Sequence, residues 1–537
     1  MQQQPWWRGA IIYQVYPRSL MDSNGDGIGD IPGIIDKLDY IGSLGVDAIW
    51  VSPFFRSPMK DFGYDISDYR DVDPLFGTLD DIDRLIAGAH ERGLKIIIDQ
   101  VLSHTSDQHA WFQQSRSSRD NEKSDWYVWA DPKDDGTAPN NWLAIFGGSA
   151  WEWEPRRGQY YLHNFLKSQP DLNYHNAAVQ QQMLDEVEFW LKRGVDGLRL
   201  DAINFCFHDK QLRSNPAKPV SERKGRGFSE DNPYAFQRHL YDNTQPENLG
   251  FLKRLRALLD RYQGTVSLGE ISSEDSLKTM AEYTQGQERL HMAYSFELLT
   301  EDFSADYVKR TVQTLENGIG EGWPCWAVGN HDVARVLSRW GGEHACEELA
   351  KMLNAMLFSL RGSVCSYQGE ELGLTEVDLP LEQLQDPYGI AFWPMFKGRD
   401  GCRTPMPWTS EPGGGFSAAA HSWLPVACEH RRRSVAEQEI HSDSTLNAYR
   451  QFVRWRKDQR ALRYGEIEFL ELHKQALSFF RCDGEQSLLC CFNFSSETLQ
   501  LSLPEGGWTQ ATGHGFVSEC SDRTVILPRY GAAFFNA

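Results

Sequence analysis

Short apolar runs alternate along most of the chain with stretches in which apolar positions recur every three to four residues. The runs are IIYQVYP (Ile11 to Pro17), VDAIWVSP (Val46 to Pro53), LKIIIDQV (Leu94 to Val101), DGLRLD (Asp196 to Asp201), TVSLGE (Thr265 to Glu270), HMAYSF (His291 to Phe296), PCWAVGN (Pro324 to Asn330) and RGSVCSYQGE (Arg361 to Glu370). Runs of this kind predict strands buried on both faces, as in a parallel sheet. Between them, LDDIDRLIAGAHERG, VQQQMLDEVEFWLKRG and ENLGFLKRLRALLDRY predict amphipathic helices, with Gly at several C-terminal ends. Eight strand-helix units predict a (β/α)8 TIM barrel.

The alternation breaks twice. After the third strand, residues 105–170 are rich in Trp, Asp, Pro and Asn, and the helical period resumes only near Asn176. A stretch that long predicts a small inserted domain. A second polar insertion, residues 208–247, follows the fourth strand. Past LNAYRQFVRWRKDQRAL, the runs LSFFRC, LLCCFNF and TVILPRY predict a C-terminal antiparallel β-sandwich. The expected domains are a catalytic barrel of residues 1–104 and 171–463, an inserted domain of 105–170, and a sandwich of 464–537.

Composition narrows the partners. With 41% apolar and 24% charged residues, the 537-residue chain has the profile of a globular protein. A net charge of −21 repels phosphate backbones and anionic lipid, which argues against nucleic-acid and membrane-surface roles. The 18 Trp, 20 Tyr and 28 Phe make a neutral ligand with apolar faces plausible. MQQQPWWRGA lacks the features of a signal peptide, and no run approaches the ~18 apolar residues of a membrane span, so a cytoplasmic protein is expected. Ten cysteines, all from Cys206 onward and without a CxxC pattern, are expected to be reduced core thiols.

In such a barrel the chemistry sits at the C-terminal ends of the strands. Here those ends repeatedly carry acids and histidines: Asp99 and His104 after the third strand, Arg199 and Asp201 at the fourth, Glu270 at the fifth, and Asn330, His331 and Asp332 at the seventh. One strand-end carboxylate is commonly only a helix cap. Four converging sites are not explained that way. Burying three carboxylates together costs several kcal/mol unless they are paired or protonated, and like charges at close range raise one pKa, placing a proton donor beside an ionised nucleophile. Glycoside hydrolysis uses such a pair, roughly 5 Å apart when configuration is retained. Arg199, two residues before Asp201 on the same strand face, can hold that carboxylate ionised.

From YQVYPRSL through DxxxxH, GxRxD, the strand-end Glu and NHD, the order and spacing of these motifs resemble glycoside hydrolase family 13, the α-amylase family, and within it the α-glucosidases and oligo-1,6-glucosidases, over nearly the whole chain. The resemblance implies that Asp201 is the nucleophile, Glu270 the general acid and base, and Asp332 a third acid gripping sugar hydroxyls. It implies that His104 and His331 contact the terminal glucose and that Arg199 supports the nucleophile. Asp61 and Tyr64 of DFGYDISDY and Arg399 of KGRDGCRTPMPW would build a pocket with a blind end, the Asp and Arg pairing there and Tyr64 stacking on the sugar. Phe146 and Phe165 are candidate walls, and QDPYG (Gln385 to Gly389) is expected to rim the entrance. QPDLN (Gln169 to Asn173) has the form found in oligo-1,6-glucosidase relatives. Relatives that cleave α-1,6 bonds usually carry Val after the nucleophile and α-1,4 enzymes Ala or Thr, so Ala202 favours α-1,4.

DSNGDGIGD spaces oxygens as in a calcium-type loop: Asp22, Asn24, Asp26 and Asp30, with the Ile28 carbonyl and Gly27 at the turn. Position twelve is Gly33, not the bidentate Glu of an EF-hand. Similar α-glucosidases hold one structural Ca2+ or Mg2+ here, and no organic cofactor is expected. The predicted function is a retaining exo-α-glucosidase of short oligosaccharides such as maltose, able to transfer glucose to a sugar or alcohol acceptor, as a monomer or homodimer. The alternatives are an oligo-1,6-glucosidase, a sucrose- or trehalose-type glucosyl transferase or isomerase, and a non-catalytic transporter subunit. The last calls for a membrane anchor and lost acids, and neither is evident.

Overall fold

A computed structural model describes residues 4–223 and 231–536 of the chain. The barrel strands are β1 (Ile11–Val15), β2 (Ala48–Val51), β3 (Lys95–Val101), β4 (Gly197–Asp201), β5 (Val266–Ile271), β6 (Met292–Ser295), β7 (Cys325–Trp326) and β8 (Ser363–Tyr367). They pair in parallel in the order 6-5-4-3-2-1-8-7. A parallel bridge between Ala293 and Pro324 joins the two remaining edges. Alternate residues of each strand serve two cores. Ile12, Trp50, Ile97, Leu268 and Met292 fill the barrel, while Ile11, Tyr13, Ile49, Ile96 and Ile98 pack outward under the helices. Apolar demand on both faces is why the strands are continuous apolar runs. β7 is shorter than the expected Pro324 to Asn330, because the chain leaves the ladder after Trp326 and carries Asn330 to Asp332 toward the site.

The expected helices form with the end chemistry that their sequences offer. Leu79–Glu91 begins with a Thr78/Asp81 capping box. Ala177–Arg193 starts under Asn176 and stops at Gly194, whose φ of 97° is a left-handed C-cap. Thr445–Asp458 is capped by Ser444.

Between β3 and β4, a helix at Ala110–Ser115 and three short antiparallel strands surround an apolar cluster of their own that includes Val128, Trp142, Trp151 and Leu162. The 208–247 stretch holds two 3-10 turns, Val220–Glu222 and Pro233–Phe236, and its residues 224–230 lie outside the described residues. At the C-terminus a five-stranded and a three-stranded antiparallel sheet face each other. Leu489, Cys491 and Phe535 meet Leu501, Val525 and Leu527 between them. The neighbouring Cys490 turns to the opposite face and joins the main core. All ten cysteines are free, but only six lie in the core as expected: Cys428, Cys482 and Cys520 are exposed and Cys346 is half-buried. Among the described residues no helix is long and apolar enough to cross a membrane.

Candidate active site

Strand register gathers the charged groups. β3 and β4 set Asp99 beside Arg199 and Val101 beside Asp201, and β5 and β6 set Glu270 beside Tyr294. The Arg199 guanidinium, fully buried, donates through Nη1 to Asp99 Oδ1 at 2.8 Å and Asp201 Oδ1 at 2.7 Å. Through Nη2 it donates to Glu270 Oε1 and, at 2.9 Å, to the Tyr294 hydroxyl. One planar fork therefore holds three carboxylates in fixed directions, an arrangement compatible with the ~5 Å spacing of retaining chemistry for Asp201 and Glu270. Ala202 takes the left-handed conformation (φ 39°, ψ 44°), at a cost on the order of 1 kcal/mol. That turn lets its N–H donate to Glu270 Oε2 at 3.1 Å.

Burial dominates the titration of this cluster. Glu270 is pushed up to about 7, by desolvation first, against the pull of Arg199 and with repulsion from Asp201 and Asp332. Desolvation likewise outweighs Arg199 at Asp201, raised to about 7, and at Asp99, raised to about 6. Near neutral pH the Asp201–Glu270 pair can therefore share one proton, which is what an acid beside a nucleophile requires. Asp332 goes the other way. Burial pulls it up most strongly, but His331, Arg399 and Arg403 together hold it below the usual carboxylate range. His331 is itself pushed down to about 3 by burial and is neutral at pH 7, so the two guanidiniums carry that effect; their nitrogens lie 3.2 and 3.0 Å from Asp332 Oδ1.

Arg399 closes one end of the pocket. Its Nη2 donates to Asp61 Oδ1 and Asp386 Oδ1, both at 2.8 Å, and its Nε to Asp386 Oδ2 at 3.0 Å. A Cβ on Gly398 (φ 80°) would lie 2.7 Å from Asp386 Oδ2, so this turn needs glycine. Gln169 Nε2 donates to Asp61 Oδ2 at 3.1 Å. The pocket encloses about 690 Å³, its open mouth included. Asp61, Tyr64, His104, Asp201, Ala202, Glu270, Asp332 and Arg399 line it, with Phe146 and Phe165 in the wall. Phe146 packs against Phe165 and Tyr388, and Phe165 against Phe205, at centroid distances of 6.0, 5.1 and 5.3 Å. Four rings thus collar the charged floor.

A family profile described as alpha amylase, catalytic domain, matches residues 14–465. The chain belongs to the α-amylase family. It is 56% identical over 532 residues to the probable alpha-glucosidase of Rhizobium meliloti (strain 1021), covering 98% of this chain and 96% of that one. It is 36% identical over 573 residues to the oligo-1,6-glucosidase of Heyndrickxia coagulans, covering 99% of each. The fold superposes on the crystal structure of the alpha-glucosyl transfer enzyme XgtA with a TM-score of 0.98, 62% identity and full coverage of both chains.

Two sequence candidates stand behind the pocket wall of this α-amylase family chain. Arg199 acts through the carboxylates it holds. His331, expected to touch sugar, is fully buried, with Nδ1 2.7 Å from Gln14 Nε2 and Nε2 2.6 Å from the Tyr64 hydroxyl. With both ring nitrogens engaged and its ring stacked on Tyr64 at 5.2 Å, it supports the tyrosine. Gln169, Phe205, Asp386 and Asn232 were missed as individual residues. Asn232 Nδ2 donates to the Ile145 carbonyl at 2.6 Å and the Tyr388 hydroxyl at 3.0 Å, knotting three loops at the pocket. QDPYG did point to Tyr388, which caps the wall from the helix Pro387–Phe392.

In the Asp22–Asp30 loop, Asp22 accepts from the N–H groups of Asn24, Gly25 and Gly27 at 3.0, 2.7 and 2.8 Å, and Asp30 caps the helix Ile31–Asp36 through Gly33 N–H. Asn24 and Asp26 are exposed. Among the described residues no three His, Cys, Asp or Glu side chains gather around a metal position. The loop's mixed carboxylate, amide and carbonyl oxygens still suit a hard cation, which would share Asp22 and Asp30 with these N–H groups.

Proposed function

We propose that this α-amylase family protein is a retaining, exo-acting α-glucosidase that favours α-1,4 bonds of short oligosaccharides. The observation that carries the reading is the Asp61–Arg399–Asp386 seal, because a closed end admits only the terminal glucose. Protonated Glu270 gives its proton to the glycosidic oxygen as the bond to C1 breaks, and an Asp201 oxygen bonds C1 from the opposite face. Glu270, now ionised, takes a proton from the incoming water or acceptor, whose oxygen displaces Asp201 and restores the original configuration. Asp332, ionised and fixed by two guanidiniums, accepts hydrogen bonds from the ring hydroxyls. The collar of Phe146, Phe165, Phe205 and Tyr388 covers the apolar faces of the sugar.

Likeness to an alpha-glucosyl transfer enzyme supports transglucosylation by the same site, and the small Ala202 side chain in the wall supports α-1,4 over α-1,6. The reading includes one Ca2+ or Mg2+ in the Asp22–Asp30 loop, held by Asp22, Asn24, Asp26, Asp30 and the Ile28 carbonyl, and a cytoplasmic location in keeping with ten free thiols. Maltose, isomaltose, sucrose, trehalose and maltoheptaose, with products followed by NMR, test it. Release of α-glucose, fastest from maltose, is expected; equal turnover of maltose and maltoheptaose would overturn the short-substrate preference, and β-glucose as first product would overturn retention.

A further inference from the structure

Asp61 and Tyr64, which both line the catalytic pocket, are the two ends of one tight turn, in which the Tyr64 N–H donates to the Asp61 carbonyl at 3.1 Å. Both central residues have positive φ, 50° at Phe62 and 109° at Gly63. That is the pattern of a type I′ turn, whose first central position favours Asn, Asp or Gly and whose second favours Gly. Gly63 suits its place, and a Cβ there would also meet the Pro53 carbonyl oxygen at 3.0 Å. Phe62 does not, because a bulky side chain is strained in the left-handed region.

The surroundings of the ring show what holds the strained conformation. Phe62 is half-buried and stays out of the pocket. It packs against Trp423 with centroids 5.6 Å apart, and the guanidinium carbons of Arg18 and Arg403 lie 5.2 and 5.9 Å from its centre. Arg18 is buried, and among the described residues no carboxylate pairs with it; Asp73 and Asp26 act on it only through space. Its guanidinium instead faces Phe76 and Trp423 as well, at 5.7 and 5.2 Å. A desolvated cation over aromatic faces is favourable while the rings stay in place, so Arg18 and Phe62 hold each other. Neither support is free to drift: the Arg18 carbonyl accepts from the Gly29 N–H at 2.8 Å, and the Trp423 N–H donates to the Gly27 carbonyl at 2.9 Å. Ahead of the turn, Asp65 accepts from the Lys60 and Asp61 N–H groups at 3.0 and 2.9 Å.

We propose that Phe62 is a positioning residue for glucose binding: clamped by Arg18 and Trp423, its ring holds the strained turn that presents Asp61 and Tyr64 to the sugar. The inference rests on the α-glucosidase reading above and deepens it. Without the clamp the turn relaxes toward negative φ, which turns Asp61 out of its 2.8 Å bond with Arg399.

Residue preference tests this. Phe62→Ala removes the ring and keeps the backbone strain, whereas Phe62→Asn removes the ring and relieves the strain. Maltose and α-glucosyl fluoride, whose leaving group is a single atom, share only the glucose at the closed end. For both, Phe62→Ala should raise KM about tenfold with kcat kept within about threefold, and Phe62→Asn should bring KM back to within about twofold of the parent. Titration calorimetry with glucose should show the same rise and rescue in Kd. Arg18→Met should raise KM about fivefold alone and leave it unchanged when added to Phe62→Asn, whose turn no longer needs the clamp. Melting midpoints report folding; a role confined to packing would lower them in both Phe62 variants without separating their KM values. A parent-like KM in Phe62→Ala, or equal losses in Phe62→Ala and Phe62→Asn, would overturn the proposal. A parent protein that turns over neither substrate would overturn the α-glucosidase reading alone, since glucose binding by the same variants still decides the turn; one that does not bind glucose either would overturn both.

Discussion

Glu270→Gln isolates what the proton on this carboxyl does, for the fold and for the reaction. The amide keeps the volume, and its oxygen can still accept from Arg199 and Tyr294, but the Ala202 N–H that now reaches Glu270 Oε2 at 3.1 Å faces an amide nitrogen. An unpaired buried N–H costs ~1–3 kcal/mol at every pH. The carboxyl's own contribution depends on pH. Raising it from 4.5 to about 7 corresponds to about 3 kcal/mol. Because the folded state keeps a proton that the unfolded chain has released, that stabilisation is complete below the ordinary carboxyl pKa and is lost as pH rises through about 7. Thermal and denaturant midpoints from pH 4.5 to 8 should therefore show the parent losing about 3 kcal/mol relative to the variant, on top of the constant offset.

The same proton sets the alkaline limb of kcat/KM, which should fall about tenfold per pH unit above 7 for maltose. The variant should lose that limb and run ~10²–10⁴-fold slower on maltose. It should lose far less on α-glucosyl fluoride, which departs without help from an acid. An equal loss on both substrates, or a stability offset that does not change with pH, would refute the assignment of the proton to Glu270.

Asp386→Asn weakens the charge-assisted grip on Arg399 Nε and Nη2, worth ~1.5–3 kcal/mol; KM should rise tenfold or more on maltose and fluoride alike with kcat nearly kept, as steady-state kinetics will show. Arg199→Met leaves Asp99, Asp201 and Glu270 without their shared cation and should destabilise the fold by ~3–5 kcal/mol at pH 8. The loss should be smaller at pH 5, where those acids protonate, and melting midpoints at the two pH values compare them. Removal of divalent ions by a chelator should lower the melting midpoint while leaving the position of the pH optimum unchanged; elemental analysis of dialysed protein showing no divalent ion would end the case for the cation.

The barrel is legible in the chain because burial on both faces forces unbroken apolar runs, and β1 to β8 fall within those runs to a residue or two. β7 is the instructive exception. Its run continues to Asn330, yet the ladder stops at Trp326, since Ala327 and Val328 stay buried while leaving the sheet to deliver Asp332. Apolar pattern reports burial, and burial persists past the point where hydrogen bonding to a neighbour strand ends.

The pocket divides along the same physical line. Groups fixed by strand register, such as Asp99 beside Arg199 and Glu270 beside Tyr294, follow from local motifs, because a strand end dictates which way its side chain faces. Groups fixed by loop closure do not. Asp61 and Arg399 meet across 338 residues, and no periodicity brings them together; the resemblance supplied that pair but not Asp386, which holds Arg399 through three donors. Asn232 lies in a polar insertion where one Asn among many carries no signal, and it becomes a knot only when three loops converge on its amide. His331 shows a different limit: its motif places it at the site but does not reveal that its ring stacks on Tyr64 and meets Gln14 and the Tyr64 hydroxyl through its two nitrogens. The closed end on which the proposal of exo action rests is thus built from the contacts least visible in the chain, and Asp386→Asn examines it more directly than any change to the three acids.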